Sequence, residues 1–121
     1  MTSTDISNYL KEYILINVGT TKHLIKKNNI LYLKSKGNYT TIHLENLKEI
    51  KLSYNLGNTL NKYFKDLPFI RINQSNVINI DKVSVFKKDE IIFDNQKTIK
   101  ASISSTYAKA LITYFNQSNI L

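Results

Sequence analysis

The sequence contains no cysteine, which excludes disulfide bonds, cysteine-based zinc sites and thiol nucleophiles. No segment approaches the roughly 18 consecutive apolar residues of a membrane-spanning helix, and the polar N-terminus of mixed charge lacks the pattern of a signal peptide. The chain has 121 residues, of which 42% are hydrophobic, and this is enough for one globular domain with its own core. We therefore expect a cytoplasmic protein without a membrane segment.

Catalytic motifs are missing as well. The three glycines are scattered, and the sequence has no HExxH, GxSxG, P-loop or GxGxxG pattern. Its two histidines, His23 and His43, lie in strand-like segments, and the neighbouring carboxylates Asp89 and Glu90 lie in a turn-like one. We predict no enzymatic activity, no catalytic residue, no metal site and no cofactor.

The charge of the chain is strongly one-sided. Seventeen lysine and arginine residues face nine aspartates and glutamates, the formal net charge is +8 at pH 7, and Arg71 is the only arginine. A field of this sign attracts polyanions, of which nucleic acid is the commonest in a cytoplasm. A lysine-rich composition that serves solubility would give the same total, so charge alone leaves both explanations open.

Alternation of apolar and polar residues predicts a mainly β (α+β) fold. In the segment 38–46, for example, Ile42 and Leu44 would share one face of a strand while Thr41 and His43 share the other. Strand-like sequence also lies on either side of the break at 73–76. The remaining predicted strands cover 13–19, 23–27, 28–34, 48–52, 83–87, 90–94 and 97–102.

One internal segment has helical spacing instead. Leu56, Leu60 and Phe64 recur every four residues and predict a helix over about 55–65. Pro68, the only proline, follows and ends it.

Both ends of the chain also predict helices. Hydroxyl residues at 104–106 are suitable caps for a C-terminal helix. A short helix is predicted over 4–12, so we divide the chain into an N-terminal helical extension at 1–12 and a main domain at 13–121.

Three polar segments interrupt this pattern. The first is Lys34–Asn38 (KSKGN), the second is Asn73–Asn76 (NQSN) and the third is Ser102–Thr106 (SISST). Proteins bind DNA with lysine or arginine at phosphates and with amide or guanidinium groups at base edges, and a helix start can hold a phosphate. Each segment alone suits an ordinary turn, loop or helix cap. Only their combination in a basic chain makes nucleic-acid binding an equally good explanation.

Longer stretches around these segments resemble a known family. ILYLKSKGNYTTIHL, FIRINQSNVINIDKV and SSTYAKAL are similar to the LytTR-type DNA-binding domain of bacterial transcription regulators, over about residues 17–115. The resemblance implies elongated antiparallel β-sheets with one short internal helix and a C-terminal helix. It also implies loops that enter successive major grooves of double-stranded DNA and bend it.

The resemblance implies particular site residues, transferred position by position from the matching motifs. The candidate base-reading residues are Asn38, Asn73, Gln74, Ser104 and Ser105. The candidate contacts to the DNA backbone are Lys34, Lys36, Tyr39, Arg71, Ser75 and Lys100. Asn79 and Asp81 are expected to brace the second polar segment rather than to touch DNA.

The chain also departs from the family pattern. Many members carry histidine and a basic residue where this chain has Asn73 and Gln74, and an arginine near the final helix where it has Ser104 and Ser105. Side-chain amides pair with adenine edges, so we predict an AT-leaning site. The same departures keep two alternatives open: an RNA-binding module, and a protein-interaction domain that retains the fold without specific DNA readout.

The resemblance bears on partners too. A homodimer on tandem half-sites about one helical turn apart is one expected arrangement. Regulators of this family often carry an upstream receiver domain, but only 12 residues precede the first predicted strand at Tyr13. We therefore expect either a stand-alone regulator or the C-terminal part of a longer one.

Overall fold

The structure is a computed structural model of the chain, and it describes residues 9–118. The helix predicted over 4–12 lies mostly outside these residues, although Tyr9 and Leu10 are helical and a turn follows them. The division into an extension at 1–12 and a main domain at 13–121 stays a prediction.

The described part of the chain is built mainly from antiparallel β-strands, which confirms the predicted fold class. It contains the ten strands β1 (Tyr13–Val18), β2 (Thr21–Lys26), β3 (Ile30–Lys36), β4 (Tyr39–Leu44), β5 (Glu49–Leu52), β6 (Phe69–Arg71), β7 (Asn76–Asn79), β8 (Val83–Phe86), β9 (Glu90–Phe93) and β10 (Thr98–Lys100). It also contains the two longer helices α1 (Leu56–Tyr63) and α2 (Ser105–Ser118). Neither helix is long and apolar enough to cross a membrane.

The strands form three sheets. β1 and β2 make a hairpin, β8, β9 and β10 make a sheet in the order β10-β9-β8, and a central sheet has the order β5-β4-β3-β7-β6. In the central sheet, Lys34 near the end of β3 lies opposite Asn76 at the start of β7. This register brings the first and second polar segments to the same end of the sheet.

A tight turn joins β3 to β4. Lys36 and Tyr39 are Cα partners, so the turn consists of Gly37 and Asn38. Gly37 has a φ of 61°, a left-handed conformation that glycine adopts without the steric cost of a Cβ atom. The turn therefore presents the first polar segment at the end of a regular hairpin.

Both faces of the central sheet contribute to a core, although Lys34, Lys36 and Lys51 are exposed on one of them. One face packs against the β1–β2 hairpin and α1, and this core includes Ile16, Ile30, Leu33, Ile42, Leu52, Leu56, Phe64 and Val77. The other face packs against the three-stranded sheet, and this core includes Leu31, Tyr32, Ile72, Ile78, Ile91 and Phe93. The alternation of side chains along β3 and β7 supplies both cores, so the ends of these strands are rigid supports for the polar segments.

Helix α1 has the start that its sequence predicts. The Asn55 side chain accepts a hydrogen bond from the Asn58 amide at 2.8 Å and caps the helix. The helix ends at Tyr63, slightly inside the predicted range of 55–65. Its buried Thr59 donates to the Thr40 hydroxyl of β4 at 3.2 Å, which fixes the helix on the central sheet.

Candidate nucleic-acid interface

The first and second polar segments lie side by side at one end of the central sheet. The Ser35 amide donates a hydrogen bond to the Ser75 carbonyl at 2.8 Å. Within the second segment, the Ser75 amide donates to the Asn73 side-chain oxygen, also at 2.8 Å. Ser75 is an exposed residue, and its backbone connects the two segments.

The third polar segment is tied to the second. The Ser104 amide donates to the Ile72 carbonyl at 2.9 Å, and the Asn73 side-chain nitrogen donates to the Ser102 carbonyl at 2.9 Å. The structure therefore brings together three segments that lie far apart in the sequence. We call the surface that Lys34–Asn38, Asn73–Asn76 and Ser102–Thr106 form the loop edge.

The exposed residues of the first segment carry charge and one free amide. Lys34, Lys36 and Asn38 are exposed, and so is Tyr39, which follows the segment. The Asn38 side chain makes no hydrogen bond to any residue that the structure describes. It is therefore able to offer both a donor and an acceptor to a partner.

The two amide residues of the second segment differ sharply. The Asn73 side chain accepts from the Ser75 amide and from the Asn76 side chain, at 2.8 and 3.1 Å, and donates to Ser102. Gln74 is exposed, and its side chain has no hydrogen-bond partner within residues 9–118. A base contact by Asn73 requires the loss of some of these internal bonds, whereas one by Gln74 does not.

Arg71 is hydrogen-bonded to the backbone of the second segment. Its Nε donates to the Asn73 carbonyl at 3.3 Å, and its Nη2 donates to the Gln74 carbonyl. The guanidinium carbon lies 5.6 Å from the centroid of the Tyr107 ring in α2. Two carbonyls and an aromatic face thus hold the charged group that the sequence predicts at the DNA backbone, and this gives Arg71 a positioning role.

The candidates near α2 are not equally accessible. The Ser104 carbonyl accepts from the amides of Tyr107 and Ala108 at the start of the helix. The Ser104 hydroxyl is buried and has no partner among the described residues. Ser105 and Lys100 are exposed, so they present their polar groups directly to solvent.

The prediction that Asn79 braces the second segment is wrong. Asn79 is 2% exposed, and its side-chain nitrogen donates to the Ile30 carbonyl at 2.9 Å. Its side-chain oxygen accepts from the Asp81 amide at 3.1 Å. Asn79 therefore fixes the start of β3 and the turn after β7, while Asn73 and Arg71 brace the second segment.

Sequence reasoning missed two features beside the loop edge. Asn55 and Gly57 at the start of α1 line a polar concavity together with Ser35, Arg71 and Gln74. Lys51 of β5 lies with its Nζ 5.2 Å from the centroid of the Tyr39 ring. The strands predicted over 38–46 and 48–52 contained the signal for Lys51, because their alternation places that residue on the polar face that Tyr39 shares.

The histidine nearest to the loop edge is a packed residue. The His43 ring stacks on Tyr32 with 4.2 Å between centroids and 5° between planes. Burial lowers the pKa of His43, and the nearby Glu49 carboxylate, 3.7 Å away, opposes this effect only in part. Within the described residues, no group of three or more His, Cys, Asp or Glu side chains could hold a metal ion.

Comparisons with known proteins agree with this geometry. The model of the LytTr DNA-binding domain family matches residues 21–116, a range that includes all three polar segments. A solved LytTr DNA-binding domain from Bacillus cereus is similar in structure, with a TM-score of 0.64 at 19% sequence identity, over 84% of this chain and 94% of that one. None of the curated proteins matches the chain.

Proposed function

The chain belongs to the LytTr DNA-binding domain family, which is typical of response-regulator transcription regulators, and from this premise we propose that the loop edge reads specific sequences in double-stranded DNA to control transcription. The resemblance predicted from the sequence is thereby confirmed. The sequence that the chain reads and the arrangement of its sites are the proposed part.

The observation that carries the proposal is the joining of three polar segments into one surface. Hydrogen bonds between Ser35 and Ser75 and between Asn73 and Ser102 hold the segments together. A partner that contacts one segment therefore meets the other two in a fixed arrangement. DNA offers such an extended partner, because its grooves and phosphates recur along the duplex.

We assign different roles to the exposed residues of the loop edge and its surroundings. Gln74 and Asn38 read base edges with side-chain amides that make no hydrogen bond to any described residue. Ser105 contributes a hydroxyl. The exposed residues Lys34, Lys36 and Lys100 contact phosphates. Because paired amide donors and acceptors match adenine, the preferred site is AT-leaning, and two copies of the chain occupy tandem half-sites about one helical turn apart.

The experiment is a selection of bound duplexes from a random DNA pool at near-physiological salt. The wild-type chain should enrich a motif of two spaced repeats. Gln74→Ala should blur one defined base pair in each repeat, and Asn61→Ala, which removes an exposed amide on α1, should leave the motif intact. The same protein is then competed with single-stranded and double-stranded RNA at equal salt.

Recovery of unenriched DNA would contradict sequence-specific readout. An RNA competitor that displaces DNA at equal concentration would favour an RNA-binding module. Binding to neither nucleic acid would leave a protein-interaction domain as the better explanation of the retained fold.

A further inference from the structure

A strip of three exposed lysines extends from the loop edge onto the open face of the central sheet. Lys34 lies opposite Thr41, and Thr41 lies opposite Lys51, so these residues share one face across β3, β4 and β5. Lys36 lies two residues beyond Lys34 on the same face. We call Lys34, Lys36 and Lys51 the lysine strip, and Lys34 and Lys51 are about 10 Å apart because two strand spacings separate them.

The lysine strip has a definite direction. Tyr39 is the diagonal neighbour of Lys51, because Thr41 is the residue directly opposite Lys51. The Lys51 ammonium group lies 5.2 Å from the Tyr39 ring centroid, a cation–π distance. The Lys51 side chain therefore leans towards the β3–β4 turn, and its charge points along the sheet towards the loop edge.

The rest of this face is covered. Tyr32 stacks on His43, and Phe93 of the three-stranded sheet lies 5.7 Å from Tyr32 between ring centroids. Beyond this covered part, an open groove contains the lysine strip, and Glu49 is the one carboxylate among the described residues that line it. The lowered pKa of His43 keeps its ring uncharged near pH 7, so three lysines face one carboxylate in the groove.

We propose that the lysine strip is one phosphate-binding site, in which Lys51 extends the contacts of Lys34 and Lys36 to DNA backbone beyond the part facing the loop edge. The proposal rests on the proposed DNA-binding function. The three lysines are spread along β3 and across to β5 rather than gathered around a point, so they fit successive phosphates of a polymer better than one small anion. The strip begins within the first polar segment. A DNA backbone that leaves the loop edge therefore continues over Lys51.

The test measures DNA affinity as a function of salt with a mixed-sequence duplex of about 30 base pairs. Lys51→Gln should weaken binding several-fold at all sequences and reduce the slope of log affinity against log salt by about 1. Lys51→Arg keeps the charge and the contact with Tyr39, so its slope should equal that of the wild type. Glu49→Gln should tighten binding, because it removes the opposing charge.

Lys48→Gln is the matched control. Lys48 is exposed on the same β4–β5 hairpin, but it lines a different groove, next to β2. Its slope should equal that of the wild type. An unchanged slope for Lys51→Gln, or an equal reduction for Lys48→Gln, would overturn the lysine strip as a site.

Hydroxyl-radical footprinting on the selected DNA motif separates this proposal from the one on which it rests. Lys51→Gln should lose protection of a backbone segment outside the base pairs that Gln74→Ala affects. If no motif is enriched, the proposed sequence-specific function fails, while a reduced slope for Lys51→Gln still supports the phosphate site. If a motif is enriched and Lys51→Gln leaves both slope and footprint unchanged, the phosphate site alone fails.

Discussion

The guanidinium group of Arg71 lies over the ring of Tyr107, with 5.6 Å between the guanidinium carbon and the ring centroid. The same group donates hydrogen bonds to the carbonyls of Asn73 and Gln74. One side chain thus connects the second polar segment to α2. Arg71 holds the segment in place from the protein side, so we predict a role for it that differs from that of a lysine at a phosphate.

Substitution of Arg71 should therefore change DNA affinity without changing its salt dependence. Arg71→Gln removes charge-assisted hydrogen bonds worth roughly 1.5–3 kcal/mol, so the affinity for a selected site should fall about tenfold or more. The salt slope should stay at the wild-type value, because no phosphate contact is lost. Tyr107→Leu should give a smaller loss of the same kind. A slope reduced by about 1 would instead identify Arg71 as a phosphate contact.

Neighbouring substitutions at Asn73 and Gln74 should differ in their effect on stability. Asn73→Ala removes three internal hydrogen bonds, and the free energy of unfolding should fall by about 1–2 kcal/mol. Gln74→Ala should change the free energy of unfolding by less than about 0.5 kcal/mol, as expected for an exposed side chain without such bonds. Urea titration of both variants checks this difference. Equal stability of the two variants would show that the Asn73 bonds add nothing to the folded state.

Asn79 should be the most sensitive asparagine in the described part of the chain. Asn79→Ala leaves the buried carbonyl of Ile30 without its donor, so the free energy of unfolding should fall by about 2–3 kcal/mol. Asn61→Ala, at an exposed position on α1, supplies the control and should be close to neutral. Both are measured by urea unfolding. A change at Asn79 as small as that at Asn61 would contradict the contact with Ile30.

The chain should become less stable as the pH is lowered through the range in which His43 titrates. Burial lowers the pKa of His43 in the folded state below its ordinary value of 6.5, despite the Glu49 carboxylate and with support from Lys97 and Lys34. The unfolded chain therefore binds a proton at a pH where the folded chain does not, and stability falls as pH decreases through about 6.5. The loss ends once pH passes below the folded pKa.

A phenylalanine variant isolates this effect. His43→Phe keeps a flat ring against Tyr32 but cannot titrate. The free energy of unfolding is measured at about pH 7.5 and about pH 5.5 for both proteins, a range above the ordinary pKa of carboxyl groups. The wild type should lose more stability than His43→Phe across this range. An equal or larger loss in the variant would assign the pH dependence to other groups.

Local sequence was sufficient for most of the fold. Alternation in β4 and the Gly37–Asn38 turn predict the hairpin, and Asn55 predicts the start of α1, because these features depend on residues close in sequence. Asn79 was misjudged since a polar residue at a strand end can bond to either side, and its partner Ile30 is 49 residues away. The bond between Asn73 and Ser102 spans 29 residues and has no local signal.

The candidate site also combines features that local sequence predicts with contacts that it does not. Residue types and the family resemblance locate the three polar segments, but they do not separate Asn73, which is bonded internally, from Gln74, which is not. Only the side-chain hydrogen bonds make that distinction. They depend on how β6, β7 and α2 pack together, which adjacent residues do not specify.

The division between Asn73 and Gln74 has an evolutionary consequence. The side chain that braces the second segment and the side chain that is free to contact a base belong to different residues. On the proposed function, a mutation at position 74 should therefore alter the preferred base without a compensating change in the scaffold. Duplicated copies of such a gene can diverge in their targets through single substitutions, and an engineer can vary position 74 in a library while the fold stays constant.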